Sequence, residues 1–131
     1  MTNKLIFIFL MCFSVINAPK AQQTTIIENI SRYFGTANSD GLSKYFSSTV
    51  QMDIINEEDV YSKVQAEIIL KGFFTEHLPS SYNVIHQLNS NASYRFGVLE
   101  MITQNGKFRI SFSMKETSGK YKITEIRIIT I

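Results

Sequence analysis

The sequence predicts an α+β fold in which two short helices, a strand and a long helix precede four antiparallel strands. Three observations carry this reading. The apolar period is helical before Gly35 and again after Ser62, it becomes two around Val50, and beyond Tyr82 four alternating stretches are separated by Asn, Ser and Gly-rich turns. No repeat, linker or low-complexity tract interrupts the pattern, so residues 22–131 form a single domain.

The first segment reads as an export signal. Lys4 gives a positive start, Leu5 to Ile16 a short apolar run, and Asn17-Ala18-Pro19-Lys20-Ala21 a small-residue exit, with cleavage expected after Ala21. The expected location is therefore periplasmic or secreted, with no membrane attachment after cleavage. The only cysteine, Cys12, lies in this segment. A mature chain without thiols has no disulfides, thiolate metal sites or cysteine nucleophile. Lys4 and Lys20 also leave with it. The chain has 13 Lys+Arg against 11 Asp+Glu, so the excess of positive charge belongs to the leader. A neutral domain has no broad electrostatic footprint for nucleic acid.

Thr25-Ile26-Ile27-Glu28 has capping-box form, and Ile26, Ile27, Ile30 and Phe34 follow at helical spacing up to Gly35. Asn38-Ser39-Asp40 offers a second cap, with Asp40 the expected capping residue, before a short helix through Leu42, Tyr45 and Phe46. From Thr49, Val50, Met52 and Ile54 alternate with Gln51 and Asp53 as a strand, and Glu57-Glu58-Asp59 reads as a solvated turn. Ser62-Lys63-Val64-Gln65 is a second capping box. It opens the longest helix, with Val64, Ile68, Ile69, Phe73 and Phe74 on its apolar side and Leu78-Pro79-Ser80-Ser81 at its end.

The four strands are expected at Tyr82 to Leu88, Tyr94 to Thr103, Lys107 to Lys115 and Lys120 to Ile131. In the last of them Tyr121 and Ile123 share one parity while Ile126 and Ile128 share the other. One extra residue near Thr124-Glu125 returns both pairs to the core, so a β-bulge is predicted there. Val98-Leu99, Met101-Ile102 and Ile128-Ile129 are apolar on both faces. With helices on one side, the simplest cover for the other is a second copy, and a homodimer through the sheet is expected.

This order resembles the cone-shaped fold of nuclear transport factor two, ketosteroid isomerase and the SnoaL-like proteins, in which a curved sheet wraps the long helix. More closely, residues 24 to 131 resemble a family of small exported bacterial proteins of Bacteroidetes type and unknown function. The matching residues are Leu42-Ser43-Lys44-Tyr45-Phe46, Val60-Tyr61-Ser62-Lys63, Gln65-Ala66-Glu67, Phe73-Phe74, His86-Gln87, Gly97 and Gly119-Lys120-Tyr121-Lys122-Ile123. That family brings no activity to carry over, and a fold alone confers none.

An isomerase of this fold needs a carboxylate base in an apolar cavity and an oxyanion hole facing it. Asp53 is the positional candidate for the base and Tyr33 or Tyr61 for donors, but the third member is missing, and the parity of Asp53 with Gln51 points it outward. His77 ends the long helix, where a structural role is favoured. His86 shares parity with Tyr82, Val84 and Leu88 and is expected to point into the cone. His77 and His86 lack ligand-like spacing, so no metal and no cofactor are implied. The pocket candidates are thus His86, Asp53, Tyr61, Tyr82 and Tyr33. The reading is a domain for a small apolar ligand or a protein partner, without a complete catalytic set. An isomerase or dehydratase using Asp53 or His86 is the alternative, and an interaction module working through the sheet is another.

Overall fold

In the computed structural model, residues 24–131 are described; the expected leader lies outside them. Helices α1 (Ile26–Gly35) and α2 (Ser39–Ser43) lead into a hairpin of β1 (Phe46–Ile54) and β2 (Glu57–Ser62). Helix α3 (Lys63–Glu76) follows, then β3 (Pro79–Leu88), β4 (Tyr94–Thr103), β5 (Gly106–Thr117) and β6 (Lys120–Thr130). The six strands form one sheet in the order β2-β1-β6-β5-β4-β3, antiparallel except where β1 runs parallel to β6.

The caps explain where the helices start. Thr25 Oγ1 accepts from the Glu28 backbone N–H at 3.1 Å, but the Glu28 side chain does not complete the expected box; it accepts from Gln87 of β3 at 3.3 Å instead. At α2, Asn38 rather than Asp40 is the cap, accepting from the Gly41 N–H at 2.8 Å. Asp40 sits in the first turn beside Lys44, 3.9 Å away. Helix α2 also ends earlier than expected, because Phe46 already belongs to β1. The Ser62/Gln65 box is complete.

The segment expected to be a turn at Glu57-Glu58-Asp59 is the edge strand β2, paired with β1 from Ile54↔Glu57 to Thr49↔Ser62. Ile55 and Asn56 make the connection at φ 49° and 68°. Two positive-φ residues give the mirror-image turn that matches strand twist.

The concave side of the sheet is filled. Ile27, Ile30 and Phe34 of α1, Leu42 of α2 and Ala66, Leu70 and Phe74 of α3 pack against Leu99, Met101, Ile110, Phe112 and Met114. Phe34 stacks on Phe112 with ring centroids 5.7 Å apart. A Cβ on Gly97 would lie 2.6 Å from Ile27 Cγ2 and 2.7 Å from Phe112 Cζ, so glycine lets α1 close onto β4.

The bulge in β6 is present. The β5–β6 register passes from Ser113↔Glu125 to Met114↔Ile123, leaving Thr124 as the extra residue, and Ile123, Ile126 and Ile128 are all buried. Helix α3 differs from expectation. Ala66, Leu70, Phe73 and Phe74 are buried, whereas Val64 and Ile68 are 67% and 64% exposed.

Candidate functional site

The five residues singled out from sequence do not converge. Asp53 lies on the convex face of β1, paired across the sheet with Arg127 and 3.5 Å from its guanidinium. His86 corrects the parity reading. The β3–β4 register passes from Val84↔Leu99 to His86↔Val98, so Ile85 is a bulge and His86 turns to the convex face, with its ring 6.1 Å from that of Phe96. Four strand spacings, about 19 Å, separate β1 from β3, so Asp53 and His86 do not share a site. Tyr33 is half-buried, tilted on Tyr45 at 6.1 Å and under Arg32 at 5.6 Å. Tyr82 leans over Gly35 and lines a small cleft of about 130 Å³ with Glu100, Ile102 and Lys107.

Tyr61 alone opens onto something larger. Between α3 and the β1–β2 hairpin, Tyr61, Gln65, Ile68 and Ile69 line a groove of about 260 Å³. Ile69 also borders a second groove of about 350 Å³, walled by Ile54, Ile55, Glu57, Gly72, Phe73, Glu76 and His77. Along α3 the lining positions are 65, 68, 69, 72, 73 and 76, at i, i+3, i+4, i+7, i+8 and i+11: one continuous helical stripe. The hairpin supplies the facing wall through Ile54, Ile55, Glu57 and Tyr61.

The far end of this stripe is built around His77, the residue capping α3. Its ring packs against both Phe73 and Phe108, with centroids 4.9 and 4.7 Å away, and those two rings touch each other at 5.2 Å. Asn105 in the β4–β5 turn fixes its proton. The Asn105 amide donates through Nδ2 to the Glu76 carbonyl at 2.9 Å, which turns Oδ1 toward His77 Nδ1 at 2.8 Å. An oxygen there requires Nδ1–H as donor, so the neutral ring presents Nε2 as an acceptor. Nε2 lies 4.0 Å from the Glu76 carboxylate. Sequence reasoning placed His77 at the helix end but not in a groove, because its groove partners come from the hairpin and from the β4–β5 turn. Among the described residues, no group of three or more His, Cys, Asp or Glu is placed to hold a metal.

Residues 27–128 match a known family model, "Domain of unknown function (DUF4783)". The chain belongs to the DUF4783 family. A solved family member from Bacteroides uniformis is 31% identical with a TM-score of 0.78, the match covering 82% of this chain and 98% of that one. A second, from Bacteroides ovatus, is 29% identical with a TM-score of 0.74, covering 78% and 92%. Beyond the family, an NTF-2 like protein of unknown function from Silicibacter pomeroyi has a TM-score of 0.57 at 8% identity, covering 80% and 89%, which supports the cone fold alone. No curated protein matches. The DUF4783 residues matched from sequence are largely structural here: Phe73 and Phe74 pack in the core, Gly97 admits α1, and Gln87 ties β3 to α1.

Proposed function

We propose that this DUF4783 domain is a binding module without catalysis, and that a small, mainly apolar ligand lies in the groove between α3 and the β1–β2 hairpin. The supporting observation is the second apolar face of α3. Ile68 is 64% exposed beside Tyr61 and Ile69, on a helix whose core-facing side is already satisfied. Exposed aliphatic side chains in a concave, aromatic-edged stripe are what an apolar ligand would cover. Among the described residues the concave face is packed with apolar side chains, and neither Asp53 nor His86 lies on it, which favours binding over isomerase chemistry.

A fragment screen by methyl NMR tests this reading. Hits should shift the methyls of Ile68 and Ile69, and the shifts should vanish in Ile68→Glu, an exposed position where the charge is tolerated in the free protein. Hits confined to the sheet, or none, would overturn it.

A second reading concerns self-association, and the split of the apolar doublets favours it. Leu99, Met101 and Ile128 turn into the core while Val98 and Ile129 stay half-buried on the convex face, with Ile102 48% exposed beside them. A homodimer through this face would cover them. Light scattering at micromolar concentration should give twice the chain mass, falling to the monomer in Val98→Asp; a monomeric wild type disposes of the dimer.

A further inference from the structure

We infer that Asn105-Gly106, in the turn between β4 and β5, is a self-modification site: the Asn105 amide hydrolyses to a carboxylate without an enzyme, and the change unties the end of α3 from the sheet.

The fold needs each member of this pair for a separate reason. Gly106 has φ 150°, a conformation that a residue with a Cβ rarely adopts. Asn105 serves the helix. Helix α3 has no basic residue in its last turn, and its cap residue His77 is at φ −129° rather than left-handed, so the usual C-terminal devices are missing. Asn105 stands in for them by donating through Nδ2 to the Glu76 carbonyl and accepting at Oδ1 from His77. The two demands together put asparagine directly before glycine, in a turn where both residues are exposed to water.

Glycine has no side chain to shield its amide nitrogen, so an asparagine side chain is most open to backbone attack when glycine follows it. No other asparagine of the chain precedes a glycine. An aspartate does at Asp40-Gly41, but Gly41 is buried within α2 and its N–H is donated to Asn38 at 2.8 Å. At Asn105 the Gly106 nitrogen gives up its proton and bonds to Cγ, the Cγ–Nδ2 bond breaks, and Nδ2 leaves with that proton as ammonia. Water then opens the cyclic imide at either carbonyl, leaving aspartate or an isoaspartyl link. An amide and a water become a carboxylic acid and an ammonia, with no change in oxidation state.

An oxygen then stands where Nδ2 donated. It faces the Glu76 carbonyl as one acceptor against another, at the negative end of the helix dipole. The other oxygen keeps the His77 N–H, now as a charge-assisted bond. The modification lets go of the helix carbonyl and holds the histidine, whose ring stays packed on Phe73 and Phe108. The last turn of α3 is freed while the core stays closed.

Ageing the purified protein in warm, mildly alkaline buffer, followed by peptide mass spectrometry and hydrogen exchange, tests both halves. The tryptic peptide of residues 96–107 carries Asn105 as its one asparagine. It should gain the acid mass, as two chromatographic isomers, before any other asparagine peptide does. Aged protein and the freshly made Asn105→Asp variant should both exchange the Thr75, Glu76 and His77 amides about tenfold faster than fresh wild type, with the β4 and β5 amides unchanged. Conversion no faster than at Asn89 or Asn91 would overturn the site. Conversion that leaves α3 exchange unchanged would overturn the release and leave chemical ageing alone. Loss of protection across β4 and β5 as well would overturn a local device in favour of general unfolding.

Discussion

Helix α3 meets the rest of the protein in two different ways, and the contrast separates what folds the domain from what it offers to others. On one side Ala66, Leu70 and Phe74 are buried against the core, and Phe74 packs edge-on to Phe34 at 6.4 Å. On the other side Val64 and Ile68 remain in water although they are as apolar as the residues inside. Burial of apolar area stabilises only where area leaves water, so the second face contributes little to folding. Its hydrophobicity therefore calls for an explanation outside the fold.

The sharpest way to break this contrast is to truncate one residue on each face. Leu70→Ala removes a fully buried side chain and should cost about 2–5 kcal/mol, because the surrounding core relaxes only partly into the space. Ile68→Ala, half a turn away, should change stability by no more than about 0.5 kcal/mol. Chemical denaturation of the two variants measures both. A large loss at Ile68 would mean that the exposed face is already covered, as self-association there would do.

The glycines give a second pair, with opposite signs. Gly97→Ala forces a Cβ against Ile27 and Phe112 and should destabilise by about 1–3 kcal/mol through overpacking. Gly72→Ala enters open space in a helix and should stabilise by about 0.5–1 kcal/mol. The same change narrows the groove, so a higher melting temperature should accompany weaker binding of the fragment hits. Gain of stability without loss of binding would separate Gly72 from the site.

These positions also mark where the sequence was legible. Helix starts could be read because a cap is a local device: Ser62 and Gln65 satisfy each other within one turn. The bulge at Thr124 could be read because one tyrosine and three isoleucines in one strand, Tyr121, Ile123, Ile126 and Ile128, disagreed in parity. The same signal exists at Val84-Ile85, where two adjacent apolar residues interrupt the alternation, and it would have turned His86 outward. Strand β2 was hidden for a different reason. Three of its six residues are acidic, a type depleted in strands, and its turn places isoleucine at a positive φ where asparagine or glycine is the usual sign. The site went unread because it depends on that hidden strand and on Asn105 reaching across from another turn.

The smallest expected effect lies on the convex face and tests whether charges there matter beside the core. Glu100 of β4 accepts from Arg109 at 3.1 Å and has Lys107 at 3.6 Å. The Arg109 hydrogen bond, reinforced by the charges of both cations against some desolvation, holds the carboxyl below its ordinary range. A carboxylate whose folded pKa is depressed stabilises the protein above its unfolded pKa and loses that contribution as pH falls through the folded value. Wild type should therefore exceed Glu100→Gln in stability at pH 7 by a small margin that closes on acidification below about pH 4. High salt should shrink the margin at pH 7, since these side chains are partly solvated. A margin unaffected by either pH or salt would assign it to lost packing by the side chain, and the convex face would then owe its stability to its half-buried apolar residues rather than to its ion pairs.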